Sequence, residues 1–360
     1  MKKKKPDLIL FSLTIFLTLF GIIMVYNASV FESYQLFSDK YHFLKLQAIW
    51  SALGFLGLCA TTFISLDFVK KISPLALLIN IILLIIVLIP GLSDKSFGAR
   101  RWISIAGFNL QPTELIKLVL SIYLAAWLAK KRNFLPFLAI LGFILGLIML
   151  QPDLGTSIVI ILIGVIVYYI SGAKLTHLII TGLIGGLSGI GLILSSPYRK
   201  ARLLTFFDPS ADPLGSSYHI TQALIAIGSG GLWGLGLGQS RQKYQFLPQV
   251  TTDSIFAIIS EEIGFIGASL LILALFAFIQ RGFRIASRAK DDFSKLLAVG
   301  ISGWIGIQTI INLGAMLALL PLTGVPLPFI SYGGSSMIVI LTGVGLLLNI
   351  SRHQVSPKKR

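Results

Sequence analysis

Charge is scarce in this chain. Only 12% of its 360 residues are Asp, Glu, Lys or Arg, about half the share of a soluble domain, which excludes an ordinary soluble enzyme. Cysteine is nearly absent. The single Cys59 lies within an apolar run, so it closes no intrachain disulfide and is a poor start for a metal site. Acidic residues number 14 against 30 basic ones, a net charge of +16. The glycines Gly234, Gly236 and Gly238 are alternately spaced, but no strand precedes them and no acidic ribose partner follows, which excludes a nucleotide loop.

Apolar sequence is what the chain has instead, at 55% with a mean hydropathy of +0.87. Runs such as "LILFSLTIFLTLFGIIMV" (Leu8–Val25) and "PLALLINIILLIIVLI" (Pro74–Ile89) match a bilayer core of roughly 30 Å. The first follows "MKKKK" as a signal peptide would, but no small-residue cleavage site is evident, so it reads as a retained first helix. Ten spans are expected, at 8–26, 43–64, 73–90, 113–129, 134–150, 154–171, 175–195, 254–279, 295–320 and 333–350. The fold class is therefore all-α, one polytopic membrane domain over 1–360. It has a long extracytoplasmic loop at 196–253 between the seventh and eighth spans, and tails at 1–7 and 351–360.

The basic residues set the orientation. Lys2–Lys5, Lys70, Lys71, Lys130, Lys131, Arg132, Lys174, Arg281, Arg284, Arg288, Lys290, Lys295, Arg352, Lys358, Lys359 and Arg360 fall on one side, 19 of the 30 Lys and Arg. Short-loop Lys/Arg bias marks the cytoplasmic face, so both termini are expected there. The positive charge then reads as anchoring to anionic membrane lipids rather than as a nucleic-acid surface. "ITQALIAIGSGGLWGLGLG" (Ile220–Gly238) would reverse this orientation as an eleventh span. Its glycines argue against a lipid-facing helix, so it is placed in the long loop, partly dipping into the membrane.

Polar groups then collect on the outer face. Arg100, Arg101, Trp102, Gln111, Glu114 and Lys117 follow the third span, and Asp153 lies in "QPDLGT". The long loop supplies Arg199, Lys200, Arg202, Arg241 and Lys243, and "PLTGVPLPFISYGGSS" ends in Ser331, Ser335 and Ser336. Each has a plain alternative. Glu114 and Lys117 suit a buried ion pair, Asp153 a helix cap, Pro112 and Pro152 helix entries, and Trp102 the aromatic belt. Arg199, Lys200 and Arg202 alternate with Leu203, Leu204, Phe206 and Phe207, as in a helix lying on the membrane surface. Glu261 and Glu262 read as carboxylates that hold helices together with a basic partner. Asp253 differs. It opens a span after a loop rich in cations, where a carboxylate can take a proton while the cations hold a diphosphate. The alternative for Asp253 is a helix N-cap.

The motifs "GARRWI…QPTELIKL", "QPDLGT", "GSGGLWGLGLGQSRQKYQFLPQVTTDSIFAIISEEIGFIG" and "LPLTGVPLPFISYGGSS", in that order, resemble the SEDS family, the FtsW/RodA/SpoVE polymerases of peptidoglycan. "GQSRQKYQFLP" resembles the division and sporulation branch more than the elongation branch. The resemblance implies a glycosyltransferase that polymerises lipid II at the outer face of a bacterial cytoplasmic (inner) membrane, with inversion and release of undecaprenyl diphosphate, in cell division or sporulation. The catalytic aspartate of "TD-x-IFA" falls on Asp253. The tryptophan of the "RRW" motif falls on Trp102, and the polar cavity residues of "QP-x-E-x-x-K" and "QPD" on Glu114, Lys117 and Asp153. Arg100, Arg101, Arg202, Arg241 and Lys243 are the candidates to meet the diphosphate, and Gln111, Ser331 and Ser335 complete the expected substrate-binding set. The family's commoner form has His before the threonine and Phe after the aspartate, where this chain has Thr251 and Ser254. A class B penicillin-binding protein, a single-span transpeptidase, is the implied partner, with other divisome proteins, since no transpeptidase motif occurs here. No cofactor is certain, and a divalent cation such as Mg or Mn is the candidate helper. A lipid II flippase or transporter, or a non-catalytic scaffold for the transpeptidase, are the alternatives.

Overall fold

This computed structural model describes residues 5–91, 94–96, 99–105, 108–130, 133–195, 197–207, 217–244 and 246–354; the side chains of 94–96, 99, 105, 108, 197–199, 201 and 202 are not among those described. The elements are α1 (Leu8–Phe37), α2 (His42–Phe63), α3 (Leu66–Leu88), β1 (Asp94–Ser96), β2 (Ala99–Ile105), β3 (Phe108–Leu110), α4 (Pro112–Leu128), α5 (Phe134–Met149), α6 (Leu154–Ile170), α7 (Leu175–Leu194), α8 (Pro197–Phe207), α9 (Tyr218–Ser229), α10 (Ile255–Ser287), α11 (Asp292–Met316) and α12 (Gly334–Arg352). α1, α2, α3, α7, α10, α11 and α12 are long and apolar enough to cross a membrane, and the shorter α5 and α6 are also apolar. Together with α4 they coincide with the ten expected spans. The protein is a multi-pass helical membrane protein.

α11 is the axis. Of its most apolar window 89% is buried, against 6% for α7, whose outward face is Leu183, Ile184, Leu187 and Ile190. α4, α6, α10 and α12 pack around α11, and α2 lies along α12. Three short antiparallel strands, ordered β1-β2-β3, sit on this bundle at 94–110 and add a small sheet to an otherwise helical chain.

Several boundaries differ from the hydropathy reading, each for a local reason. α3 begins at Leu66 rather than at 73, and runs through Pro74. Proline has no N–H for the carbonyl one turn back, and Ser73 Oγ donates to that Lys70 carbonyl at 2.9 Å. α1 continues past 26 to Phe37, because Asn27, polar enough to end an apolar run, is bonded to Glu262 and Lys243 of the bundle. α10 continues past 279 to Ser287 through the basic Arg281 and Arg284, which fall beyond its apolar stretch.

The two termini meet at one end. The Asp7 N–H donates to Ser351 Oγ at 3.0 Å, Arg281 pairs with Asp7 at 2.8 Å, and Arg352 donates to the Thr62 carbonyl. Asp253 precedes α10 and so lies at the opposite end of the helix that carries Arg281. Of the basic residues assigned to the terminal face, Lys2, Lys3, Lys4, Lys131, Arg132, Lys358, Lys359 and Arg360 lie outside the described residues.

The 196–253 loop is partly helical. α8 occupies the basic amphipathic stretch, with Lys200, Leu204 and Phe207 exposed. α9 then packs on α10, and the glycines after it meet a break inside α10. Gly264 there has φ 69°. Around the break, Leu235 N–H donates to Glu261 O, Gly236 N–H to Glu262 O, Phe265 N–H to Gly231 O and Ile266 N–H to Leu232 O, at 2.9–3.2 Å. Gly264 lies nine residues into the helix, about 14 Å by helical rise. The segment therefore dips beside α10, and its glycines serve main-chain contact. A Cβ on Gly234 would stand 2.2 Å from the Glu262 carbonyl oxygen, and one on Gly264 2.3 Å from the Gly234 nitrogen.

Gly234→Ala should therefore cost well over the 1–3 kcal/mol typical of left-handed strain alone. Gly189→Ala meets nothing within 4 Å and should be tolerated. Thermal unfolding of the two detergent-purified variants checks this, and equal midpoints would contradict the packing.

Candidate functional site

Asp253 is buried at 6% exposure. α10 has Ser254 at its N-cap position, so Asp253 stands one residue ahead of the cap. The chain around it is tied down residue by residue. Tyr332 N–H donates to the Thr251 carbonyl at 2.8 Å, and Ser331 Oγ to the Thr252 carbonyl at 2.5 Å. Asn312 Nδ2 donates to the Asp253 carbonyl at 2.8 Å, and Thr252 Oγ1 to Asp253 Oδ1 at 3.2 Å. The carboxylate faces the connection between α11 and α12, where a Cβ on Gly324 would lie 3.9 Å from Asp253 Oδ2.

That connection is itself held by α11. Asn312 Nδ2 also donates to the Val325 carbonyl at 2.8 Å, and Gln308 Nε2 to the Pro326 carbonyl at 2.9 Å. Gln308 Oε1 accepts from Lys117 Nζ at 2.9 Å and Trp304 Nε1 at 2.8 Å. Lys117 pairs with Glu114 at 2.6 Å, both nearly fully buried, and lies 5.5 Å from the centre of the Trp304 ring. One network thus joins Glu114 and Lys117, through two amides one turn apart, to the main chain of Asp253. Beside it, Glu114 Oε2, Thr113 Oγ1, Asn312 Oδ1 and Thr323 Oγ1 are buried with no hydrogen-bond partner among the described residues. Such groups cost about 1–3 kcal/mol each if left dry, so this interior suits water or a polar ligand.

Several predicted contacts are occupied by the fold. Arg101 donates through Nε to the Gln151 carbonyl at 3.2 Å and through a terminal nitrogen to the Pro152 carbonyl at 2.6 Å, clamping β2 onto the "QPD" turn. Asp153 caps α6, accepting from Thr156 N–H at 3.0 Å and Thr156 Oγ1 at 2.9 Å. Pro112 is the first residue of α4 with Gln111 at its N-cap position, whereas Pro152 precedes the Asp153 cap. Ser331 Oγ also accepts from Leu327 N–H at 2.8 Å. Ser335 Oγ donates to the Asn109 carbonyl and accepts from Gln111 N–H, both at 3.0 Å.

Lys243 also departs from its assignment. It is 6% exposed, pairs with Glu262 at 3.1 Å, and donates to the Gly238 carbonyl and Asn27. Glu262 lies about 13 Å along α10 from Asp253, so Lys243 belongs to the hairpin's anchor. Glu261 accepts from Ser240 Oγ at 2.5 Å, Arg241 N–H at 3.0 Å and Gln242 N–H at 3.4 Å. The two glutamates are the structural carboxylates expected, with Lys243 as the basic partner. Arg241 is exposed, and Arg100 and Trp102 are half-buried on β2. Arg202 lies in α8, and its side chain is outside those described.

Gln308, Asn312, Trp304, Asn27 and Ser240 were not among the sequence candidates. Gln308 and Asn312 carried a usable signal: two amides one turn apart inside an apolar span need internal partners. Among the described residues no three His, Cys, Asp or Glu gather to hold a metal ion, so these side chains do not fit a resident cation cage. A cavity of about 210 Å³ lined by Ser171, Asp292 and Lys295 opens at the termini end of the bundle, remote from Asp253.

The model of the FtsW/RodA/SpoVE family, described as cell cycle proteins, matches residues 7–356. Stage V sporulation protein E of Bacillus subtilis is 42% identical over 360 residues, covering 98% of each chain. A protein of Trichlorobacter lovleyi named probable peptidoglycan glycosyltransferase FtsW is 39% identical, covering 96% of this chain and 93% of that one. Among solved structures, a chain from a peptidoglycan synthase complex, described for its coordination of polymerization and crosslinking, superposes with a TM-score of 0.80 at 27% identity over 96% and 98% of the two chains. The rod shape determining protein RodA of Thermus thermophilus gives 0.71 at 26% identity over 98% of each.

The placement of the two cations yields a test. Lys243→Ala should strand the buried Glu262 and lower stability by about 3–5 kcal/mol. Arg241→Ala, at the surface, should stay within about 0.5 kcal/mol of wild type. Thermal melts in detergent compare them, and equal shifts would contradict the burial of Lys243.

Proposed function

The chain belongs to the FtsW/RodA/SpoVE family of cell cycle proteins, and from that premise we propose that it is a peptidoglycan glycosyltransferase that polymerises lipid II into glycan strands in cell division or sporulation. The reading places the chain in the cytoplasmic membrane of a bacterium, with both termini inside and Asp253 at the outer face. Short-loop basic residues at the termini end support that orientation. A class B penicillin-binding protein supplies crosslinking in this reading, in keeping with a structural relative that comes from a peptidoglycan synthase complex.

The observation that carries the mechanism is the anchoring of Asp253. Its flanking carbonyls are bonded to α11 and to the 327–332 connection, so its carboxylate is presented from a fixed main chain, as a general base requires. Asp253 accepts the proton of the acceptor sugar's 4-hydroxyl. That oxygen bonds to the anomeric carbon of the donor strand's terminal sugar while the bond from this carbon to the lipid diphosphate breaks. Attack opposite the leaving group turns the α linkage into a β linkage. The diphosphate departs with the bonding pair, and cations meet its growing charge.

Because Lys117, Lys243 and Arg101 are engaged within the fold, the leaving group's partners in this reading are Arg100, Arg202 and Arg241. Trp102 and Gln111 border the same face. Among the described residues no three His, Cys, Asp or Glu gather around a metal position, and no step of the reaction runs through one. The Glu114–Lys117 pair holds the floor beneath the base through Gln308.

Asp253→Ala in a purified complex with its transpeptidase should fold with an unchanged melting point and form no glycan from lipid II, a loss of at least about 10²-fold. Detergent solution leaves no membrane to cross, so a transporter or scaffold would yield no polymer even as wild type. Wild-type polymerisation by Asp253→Ala would remove the base assignment.

A further inference from the structure

Both sides of Asp253 carry anchors, and one of these comes from the dipping hairpin. His219, the second residue of α9, places Nε2 2.6 Å from Ser254 Oγ. Ser254 is fully buried, and its hydroxyl also donates to the Pro248 carbonyl at 2.9 Å. A hydroxyl has one proton and a carbonyl only accepts. For both contacts to be hydrogen bonds, Ser254 must give its proton to Pro248 and accept one from His219. The imidazole therefore carries hydrogen on Nε2, and the direction His219 to Ser254 to Pro248 is fixed by chemistry.

We propose that His219 is a positioning residue for the Asp253 carboxylate, acting through Ser254. This deepens the glycosyltransferase reading above and rests on Asp253 as its base. Each residue from 251 to 254 is bonded to an element distant in sequence, and Ser254 is the point where α9 joins. Thr252 N–H and Ser254 N–H both donate to the Gln249 carbonyl, at 3.1 and 3.3 Å, so 248–254 closes as a compact turn. Ser254 Oγ bolts that turn at Pro248 on one side and to α9 on the other. In this chain the hairpin holds the base by a hydrogen bond. α9 is itself fixed to α10 through the glycine contacts at the Gly264 break, so the bond carries the hairpin's position to the base.

The experiment uses the full chain with a co-purified transpeptidase and lipid II, measuring kcat, KM and melting point for His219→Ala, Ser254→Ala, the double variant and His219→Gln. Asp253→Asn is run alongside. A misplaced reacting group costs up to about 10²-fold, so His219→Ala and Ser254→Ala should each lower kcat about tenfold or more with KM within about twofold. The double variant should be no worse than Ser254→Ala, which already lacks the His219 bond. His219→Gln, which keeps an N–H donor, should recover most of kcat. The proposal is overturned by wild-type kcat in His219→Ala, by losses that multiply in the double variant, or by loss of kcat that tracks the melting point and is not rescued by His219→Gln. If His219→Ala fails to fold, Ser254→Ala and His219→Gln give the same decision. An inactive Asp253→Asn beside an unaffected His219→Ala sinks this proposal alone, whereas an active Asp253→Asn sinks the base assignment and the proposal with it.

Discussion

Irregular backbone inside a membrane protein must find its hydrogen bonds within the protein, because hydrocarbon supplies none. The connection between α11 and α12 is the test of that rule here. It contains Pro321, Pro326 and Pro328 and forms no regular element, yet Val325, Leu327 and Phe329 are buried. Gln308 and Asn312 bond the Pro326 and Val325 carbonyls, Ser331 bonds the Leu327 N–H, and Gln47 reaches both the Ser331 carbonyl and the Gly333 N–H at 3.3 Å. These bonds satisfy the connection and also build the site. Asn312 takes the Asp253 carbonyl with the same amide nitrogen, and Gln308 takes Lys117 with its oxygen. The need to satisfy backbone and the need to place a carboxylate are met by one set of side chains.

The second constraint is the desolvation of charge. A carboxylate and an ammonium together inside the fold lose their hydration, and remain charged only when paired and hydrogen-bonded. Glu114 pairs with Lys117 and Glu262 with Lys243, and Gln308 and Asn27 give each lysine a further bond. Glu261 has no lysine and is satisfied by Ser240 Oγ and two consecutive main-chain N–H groups. These last bonds exist only because the glycine segment returns beside the α10 break. Sequence glycines that look like weak helix thus permit a backbone-to-backbone seam, and the seam brings the N–H groups to the carboxylate.

The ten apolar runs were legible because hydrophobicity is written residue by residue. Asp253 stood out in the sequence as a carboxylate opening an apolar run, and its position one residue ahead of the cap sets aside the capping alternative. Pairing across the bundle was hidden. Nothing in "GQSRQKY" says that Lys243 turns inward to Glu262 while Arg241 faces out, since that choice depends on where Asn27 of α1 arrives. The bound of α1 was misjudged because hydropathy stops at Asn27, whose partners keep the helix going, and that of α3 because its first turns carry the charged Lys70 and Lys71 ahead of the apolar run. Ser331 and Ser335 stood out as hydroxyls at the end of a proline- and glycine-rich connection. Here both bond main chain.

The sorting of cations changes how the site is to be understood. Lys117 and Lys243 are neutralised by their own carboxylates, and Arg101 is spent on the carbonyls of residues 151 and 152. Residues 251 to 254 are held by amides, hydroxyls and an imidazole, which fix their geometry. Arg241 is exposed and Arg100 half-buried, and neither takes part in these pairs. In the proposed reading, holding and chemistry are divided between different residues: amide and hydroxyl donors place Asp253, and guanidinium groups outside the buried pairs would meet the departing charge.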